Sequence, residues 1–411
     1  MIRGSIILVI MKNCKKILHI CLKSLYAILL VALMAVVATS GSYIYDFAEP
    51  EPFKGPDIFN PYRNIDTTHC WKKANFHTHT RVEGIFNECK YWPEDVYKVY
   101  ERLGYDIVTF SNHNELTKHP FSEELQVNVY EHGYNLLKFH KLTFGSKETN
   151  HFGHLLPVLP SQMQFQLDKL DEESDIIQFN HPLHTFSVTK EVMEKVCGYD
   201  IIEIDCEKST ECEYWDWALS AGRYSFALAG DDLHNPDDTH RVAKRCSFIC
   251  SPTARYDDIK KVLLEGCYYS MKVPDYGNGN WEIKREKNHN MPYIKEIGLN
   301  GDTIFIGLSH VADSIKVIGQ GHATLLLAKE CNYAEYVMKS EDPYARFTVY
   351  FPTGEVIFSN PFARYDASKA TSPVKSDLCS VNIPLTVLFN TALLALLSLL
   401  VFTFYKTVIK R

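Results

Sequence analysis

The chain has 411 residues, of which 46% are hydrophobic and 23% charged, and its formal net charge is -7. This composition supports a folded core and excludes a disordered chain. The acidic balance disfavours nucleic acid as a partner, but it is compatible with a phosphate-bearing substrate because bound metal ions would reverse the local field. The twelve cysteines form no CxxC pair, which excludes a zinc ribbon. We expect one or two disulfides if the soluble part lies outside the cytoplasm.

The first predicted element is a membrane-spanning helix. Residues 24–45 carry no charge and are long enough to cross a bilayer. Residues 1–23 contain basic but no acidic side chains, which predicts that this segment is cytoplasmic. A cleaved signal peptide is the alternative, since small residues follow the apolar core. Residues 46–68 are predicted to be a linker.

Between residues 69 and 290, short apolar runs alternate with stretches of helical spacing. This alternation predicts strand–helix units and a parallel sheet. Seven or eight such units predict an α/β fold, a distorted (β/α)7-8 barrel of the TIM type, whose site lies at the C-terminal strand ends. The predicted strands include 105–110, 141–145, 175–179, 200–205 and 224–230, and residues 123–139 are predicted to be helical.

The pattern changes after residue 290. Residues 291–366 show short strands with turn signals, which predicts a small antiparallel, β-sandwich-like domain. Residues 367–382 form a predicted linker, residues 383–405 a second uncharged membrane helix, and residues 406–411 a basic cytoplasmic tail. Two spans with both ends inside place the soluble part outside the cytoplasm. We therefore expect a bacterial inner-membrane protein with its catalytic domain on the periplasmic side.

Metal-binding side chains follow the predicted strands. His77 and His79 end the first strand, and residues i and i+2 of a strand face the same way, so both can bind one metal. The other candidates at strand ends are His113, Glu148, His181, Asp232 and His234. Imidazole and carboxylate together suit zinc, manganese or iron rather than calcium.

Five blocks in this order resemble the PHP family, the polymerase and histidinol phosphatase superfamily: FHTHTRVEG, GYDIVTFSNHN, GSKETNHFGH, NHP and GDDLH. The resemblance implies a distorted barrel that holds two to three divalent metals. It implies three metal positions, held by His77, His79, Glu148 and Asp232, by Glu83, His113 and His234, and by Glu148 with His154 and His181. His151 is the alternative to His154, and Asn112 replaces an Asp common in the family, where it can support a ligand by hydrogen bonding.

The implied activity is hydrolysis of a phosphate ester through a metal-bound hydroxide, with phosphatase and phosphodiesterase both open. Arg241 is a candidate phosphate contact, although a surface salt bridge is equally compatible. His181 is a candidate indirect proton donor, and His184 is the alternative. The expected substrate is a phosphorylated small molecule or an envelope glycan or lipid. The alternatives are an amide or ester hydrolase with the same metals, and a non-catalytic metal-binding sensor or scaffold of the envelope. The oligomeric state is left open.

Overall fold

The structure, a computed structural model, describes residues 2–65, 71–84, 87–206, 209–210 and 212–410. The helices are α1 (Ile2–Ala38), α2 (Pro93–Arg102), α3 (Pro160–Asp171), α4 (Lys190–Lys195), α5 (Cys212–Ser220), α6 (Tyr256–Glu265), α7 (Trp281–His289) and α8 (Ile383–Phe404). The strands are β1 (Tyr45–Phe47), β2 (Asp57–Phe59), β3 (Lys72–Asn75), β4 (Ile107–Val108), β5 (Val129–His132), β6 (Lys141–Phe144), β7 (Ile176–Phe179), β8 (Ile201–Cys206), β9 (Ser209–Thr210), β10 (Phe226–Ala229), β11 (Arg245–Ile249), β12 (Tyr268–Lys272), β13 (Ile294–Asn300), β14 (Thr303–Gly319), β15 (Ala323–Val337), β16 (Tyr344–Tyr350), β17 (Val356–Ser359), β18 (Phe362–Tyr365) and β19 (Cys379–Val381).

Two apolar helices, α1 and α8, stand at the two ends of the chain and pack against each other through Leu30, Val37 and Leu400. Both are long and apolar enough to cross a bilayer. The first helix ends at Ala38, earlier than the predicted residue 45. The Ser40 hydroxyl donates to the carbonyl of Val36 at 2.6 Å and so closes the last turn.

The chain segments next to these two helices are joined to each other. Strands β1 and β19 pair antiparallel, with Phe47 opposite Cys379. The described part of the predicted linker, residues 46–65, is packed against the rest of the protein, because β2 pairs with β18 and the rings of Phe53 and Tyr62 are buried. Apolar side chains in this segment therefore bind it to the body of the protein.

The sulfur of Cys197 lies 3.5 Å from the sulfur of Cys379. If this part of the chain is outside the cytoplasm, we expect the two thiols to oxidise to a disulfide. Mass spectrometry of a non-reduced digest, made from membranes in which thiols were alkylated first, should find the cross-linked peptide. Cys197→Ser should remove it and Cys331→Ser should not. Alkylated Cys197 and Cys379 in the native protein would contradict this prediction.

The mixed α/β body contains two sheets rather than the single parallel sheet of the prediction. One sheet has the order β10–β8–β7–β6–β5. In it β7, β8 and β10 are parallel, whereas β6 runs antiparallel to both of its neighbours. The other sheet contains β4, β3, β11 and β12, with only β3 and β4 parallel. Regular strand ladders in the described residues therefore do not close a barrel.

Two isolated bridges connect these sheets. Thr78 pairs with Leu233, and His113 pairs with Glu131, both in parallel orientation. The first bridge joins the extension of β3 to that of β10, and the second joins the extension of β4 to β5. Seven strands are thus connected in a ring: β3, β4, β5, β6, β7, β8 and β10. Two of the connections, β3 to β10 and β4 to β5, are single β-bridges instead of regular ladders.

The strands after residue 293 are antiparallel, as predicted, but they continue the body instead of forming a separate sandwich. Strand β17 pairs with β12, and Tyr269 lies opposite Ser359. An unpaired edge of β12 would expose backbone hydrogen-bonding groups, and β17 satisfies them. Arg346 also forms a buried ion pair with Asp216 of α5, with Nη2 2.6 Å from Oδ2.

Candidate metal centre

A cluster of buried histidines and carboxylates lies at the edge where the two sheets meet. His77 and His79 follow β3, and both side chains are 1% exposed. The backbone fixes them, because Asp232 N donates to His77 O at 3.0 Å and His79 N donates to Leu233 O at 2.9 Å. The bridge that joins the sheets therefore also brings Asp232 against the two histidines.

Four ligand atoms face one point. His77 Nε2 lies 3.4 Å from Glu131 Oε2 and 3.3 Å from Asp232 Oδ1. His79 Nε2 lies 3.3 Å from the same glutamate oxygen and 3.1 Å from the same aspartate oxygen. Ligand atoms placed about 2.1 Å from one ion in a tetrahedron lie roughly 3.4 Å apart, so this spacing fits a divalent metal.

The chemistry of His77 supports the same interpretation. Its Nδ1 contacts Glu203 Oε1 at 2.9 Å, which directs Nε2 toward the cluster. In the described part of the chain, this buried Nε2 has no hydrogen-bond partner. A buried nitrogen left without a partner costs free energy unless something binds it. The residues present therefore fit a metal ion, and Glu203 would orient the ligand.

Glu131 is the centre of the cluster and is 1% exposed. Its Oε2 faces His77, His79 and His113, the last at 3.2 Å. Its Oε1 is 3.1 Å from His140 Nδ1 and 3.1 Å from His181 Nε2. One carboxylate with different histidines on its two oxygens is suited to bridge two cations and to offset their mutual repulsion.

A further acidic group lies toward the solvent. Glu88 Oε2 is 3.3 Å from His113 Nε2 and 3.6 Å from His234 Nε2. The His234 ring stacks on the His79 ring with 4.3 Å between centroids. These side chains give the cluster a second candidate position, which is more exposed than the first because Glu88 has 45% of its side chain exposed.

Neighbouring side chains hold the candidate ligands in place. Asn112 accepts a hydrogen bond from Thr80 N at 2.8 Å and so fixes the backbone next to His79. Asn180 Nδ2 donates to Glu131 Oε1 at 2.9 Å, and His181 N donates to Glu203 Oε2 at 3.0 Å. His181 and Asp232 have positive φ angles of 24° and 48°. Such strained backbone in non-glycine residues is typical of functional sites.

The pKa values of the cluster histidines are shifted in two opposite directions. Burial opposes protonation of His79 and His181. Hydrogen bonds with Asp232 and Glu131 outweigh burial for His79, and the hydrogen bond and charge of Glu131 outweigh it for His181, so both pKa values rise to about 9. Burial lowers the pKa of His140 to about 4 although Glu131 opposes this. Burial likewise lowers the pKa of His113. Glu131 is buried, but the nearby histidines hold its pKa well below the usual range, so it is ionised.

The structure brings most of the predicted ligands together and leaves three outside. His77, His79, His113, His181, Asp232 and His234 lie in the cluster, and their role as ligands stays a prediction. Glu83 and Glu148 are exposed, and in the described residues neither contacts the cluster. His154 is buried elsewhere and contacts Gly41 O at 3.0 Å, while the alternative His151 is exposed. Arg241, with 54% of its side chain exposed, lies 3.8 Å from Asp238.

Four cluster residues were missed from the sequence, namely Glu88, Glu131, His140 and Glu203. The sequence could have indicated Glu131, because the alternation VNVYEHG around it is typical of a strand. We predicted a helix there instead. The same strand-end rule that selected His77 would then have selected Glu131. Glu203 lies inside a correctly predicted strand. Glu88 lies in a loop without periodicity, and no sequence signal marks it.

A cavity of about 570 Å³ opens onto the cluster. It is lined by Arg81, Asn87, Glu88, Cys89, Lys90, His234 and Asn235. Glu88 and His234 belong to the cluster, so the cavity borders the second candidate metal position. Arg81 and Lys90 are the cationic groups of the lining.

No protein-family model and no curated protein matches the chain. Among solved structures, the chain is similar to a two-domain protein from Bacteroides vulgatus ATCC 8482 that contains a predicted PHP-like metal-dependent phosphoesterase. That match has 15% identity, covers 77% of this chain and 100% of the other, and has a TM-score of 0.38. The chain is also similar to the lesion-specific endonuclease PfuEndoQ from Pyrococcus furiosus, with 12% identity, coverage of 47% and 56%, and a TM-score of 0.34.

At these identities and TM-scores the similarity carries no argument about chemistry or substrate. The assignment of a function therefore depends on the cluster itself.

Proposed function

We propose that the protein is a metal-dependent phosphoesterase that binds two or three divalent ions around Glu131. The observation that carries this proposal is the single buried carboxylate with histidines on both oxygens and Asp232 beside it. His77, His79 and Asp232 would hold one ion with Glu131. His113, His140 and His181 lie around the same carboxylate, and Glu88 with His234 would hold an ion nearer the solvent.

Divalent ions of zinc, manganese or iron in these positions would supply a water of lowered pKa and would neutralise the charge of a phosphate ester. The chain's own residues fix the geometry for this reaction. Glu203 holds the ring of His77 and the backbone of His181 through its two oxygens. His181, a donor expected from the sequence, is 4% exposed, whereas His234 has 36% of its side chain exposed and lines the cavity. His234 is therefore the better placed of the two to give a proton to the leaving oxygen of an ester bound in that cavity.

The cavity explains how a phosphate could be recognised. Arg81 lines the cavity, and its guanidinium lies 5.0 Å above the ring of Trp92, which keeps the charge near the opening. Guanidinium groups match phosphate oxygens in shape and charge. Arg81 is therefore a stronger candidate for phosphate binding than Arg241, which does not line this cavity.

We predict that Arg81→Ala raises KM for a phosphate ester with a smaller effect on kcat. A hydrogen bond to a charged group contributes about 1.5–3 kcal/mol, so the expected loss in kcat/KM is roughly 10–100-fold. Steady-state kinetics of Arg81→Ala, Arg81→Lys and Arg241→Ala would test this. A larger KM effect from Arg241→Ala than from Arg81→Ala would assign phosphate binding to Arg241, as first predicted from the sequence.

We further propose that α1 and α8 anchor the protein in a bacterial inner membrane and that the body lies on the periplasmic side. The helices are long, apolar and packed together, and the basic residues lie at the ends that would face the cytoplasm. A phosphorylated small molecule or an envelope glycan or lipid would be available there. Nucleic acid is disfavoured as a substrate by the net charge of -7.

The test uses the full chain, purified in detergent without chelator. Bound metals are counted by mass spectrometry, and hydrolysis of an aryl phosphate and an aryl phosphodiester is measured. Two to three metals per chain with turnover of either ester would support the proposal, and the preferred ester would separate phosphatase from phosphodiesterase. Metals without ester turnover would favour an amide hydrolase or a sensor. No metal after manganese, iron and zinc have each been offered would overturn the proposal.

A further inference from the structure

Three loops near the candidate metal centre expose large apolar side chains. They are residues 133–140, 150–159 and 182–188, and together we call their surface the apolar face. Its most exposed members are Phe186 at 83%, Leu136 at 69%, Tyr134 at 62%, Val158 at 56% and Leu183 at 47%. Single exposed apolar residues are common, but a cluster of them marks an interaction site.

The three loops form one surface because hydrogen bonds join them. Leu136 N donates to Leu155 O at 3.0 Å, which links the first loop to the second. The Thr185 hydroxyl donates to Lys138 O at 2.7 Å, and the Ser187 hydroxyl donates to Pro157 O at 3.1 Å. Each loop is thus held to at least one of the other two.

The apolar face begins at the end of the first apolar helix. Just past α1, Gly41 O contacts His154 Nε2 at 3.0 Å, and Ser40 O accepts a hydrogen bond from Gln162 at 3.1 Å. Thr39 Oγ1 accepts from Leu155 N at 3.4 Å. The second loop is therefore at the level where α1 would leave a bilayer.

The other side of the apolar face borders the candidate metal centre. The first loop leads directly into His140 and the third loop follows His181, and both histidines contact Glu131 at 3.1 Å. The ring of Tyr134 lies 5.0 Å from the ring of His113. The exposed apolar side chains therefore occupy the surface between the helix end and the cluster.

The charge of these loops fits a membrane surface. Residues 133–140, 150–159 and 182–188 contain no Asp or Glu, and their one lysine is Lys138. The side chain of Lys138 is exposed. Apolar side chains bordered by lysine are the composition that binds the headgroup layer of an anionic bilayer.

We propose that the apolar face lies in the interfacial layer of the same bilayer that α1 and α8 cross, so that the metal centre receives phosphate esters presented by that bilayer. This rests on the proposed membrane anchoring and deepens the proposed function by assigning a membrane-held, amphiphilic class of substrate. The partner is the lipid surface, because the loops are joined by hydrogen bonds to the helix end that would emerge from it.

The test measures depth in a membrane. The full chain carrying Phe186→Trp is reconstituted in vesicles of phosphatidylcholine and phosphatidylglycerol with brominated acyl chains, and tryptophan emission is compared with that of the parent. The control variant is Ile283→Trp on α7, which is 42% exposed. Helix α7 lies at the opposite end of β3 from His77, since Asn288 bonds to Lys73 at 2.7 Å.

We expect brominated chains to quench the emission added by Phe186→Trp and to leave that added by Ile283→Trp unchanged. Equal quenching of the two, or none of either, would overturn the proposal. Far-UV circular dichroism and metal content establish that both variants fold. Because quenching does not depend on turnover, it is separate from the aryl-ester assay, so failure of the membrane face and failure of the phosphoesterase proposal are distinguishable.

Discussion

Glu131→Gln is expected to remove most bound metal and to lower kcat/KM by more than about a hundredfold. Loss of a group that only orients a metal ligand costs roughly 10–100-fold, and Glu131 would be a ligand to more than one ion, so its loss should cost more. Glutamine keeps the size of the side chain but removes the charge that offsets the cations. Metal content by mass spectrometry and kinetics on an aryl ester are the measurements.

Glu148→Gln is the matched control, because the sequence motifs select Glu148 as the bridging ligand whereas the structure exposes it away from the cluster. It should keep full metal content and full activity. The two variants therefore decide between the motif-based assignment and the geometric one. If Glu148→Gln lost metal while Glu131→Gln kept it, the cluster described above would be the wrong site.

The direction of one strand explains why Glu148, the carboxylate that the motifs selected, lies away from the cluster. The expectation that site residues follow the C-terminal ends of strands requires the strands to be parallel. It places six of the predicted ligands correctly in the cluster, those that follow β3, β4, β7 and β10. Strand β6 is antiparallel to β5 and β7. Its C-terminal end therefore points to the opposite edge and takes Glu148 away, while its N-terminal end brings His140 to Glu131. Strand direction is a tertiary property that local sequence patterns do not encode.

His154, which the motifs assign to the third metal position, lies outside the cluster for a related reason. His154 resembles a ligand because it is buried and follows a glycine, but its ring contacts Gly41 O just past α1. A buried histidine needs a polar partner, and the end of a helix supplies one as well as a metal does. The class of fold, the two apolar helices and the region of the site were thus predictable from periodicity. The partners of individual side chains were not, because they depend on how the two sheets meet.

Metal binding is expected to stabilise the protein more as the pH rises toward about 9. In the metal-free protein, the pKa values of His79 and His181 are raised to about 9, so both side chains are protonated at neutral pH. The stability that these protonated histidines contribute is fully present below their unfolded pKa of about 6.5 and is lost as the pH rises through about 9. Metal ligands must be unprotonated, so the metal gains affinity over the same interval.

The measurement is the Tm of the metal-loaded and of the metal-free protein as a function of pH. We expect the difference between the two Tm values to widen between pH 6.5 and pH 9. Burial opposes protonation of His77, but Glu203, Asp232 and Glu131 raise its pKa well above the ordinary value, so His77 carries a third proton. Three displaced protons correspond to roughly a thousandfold change in apparent affinity per pH unit. Calorimetric titrations in two buffers of different ionisation enthalpy count these protons directly. His154→Asn should leave the count unchanged, because His154 contacts Gly41 outside the cluster. A Tm difference independent of pH would show that His77, His79 and His181 do not bind the metal. The centre would then have to be built from His113 and His140, whose lowered pKa values leave them unprotonated already.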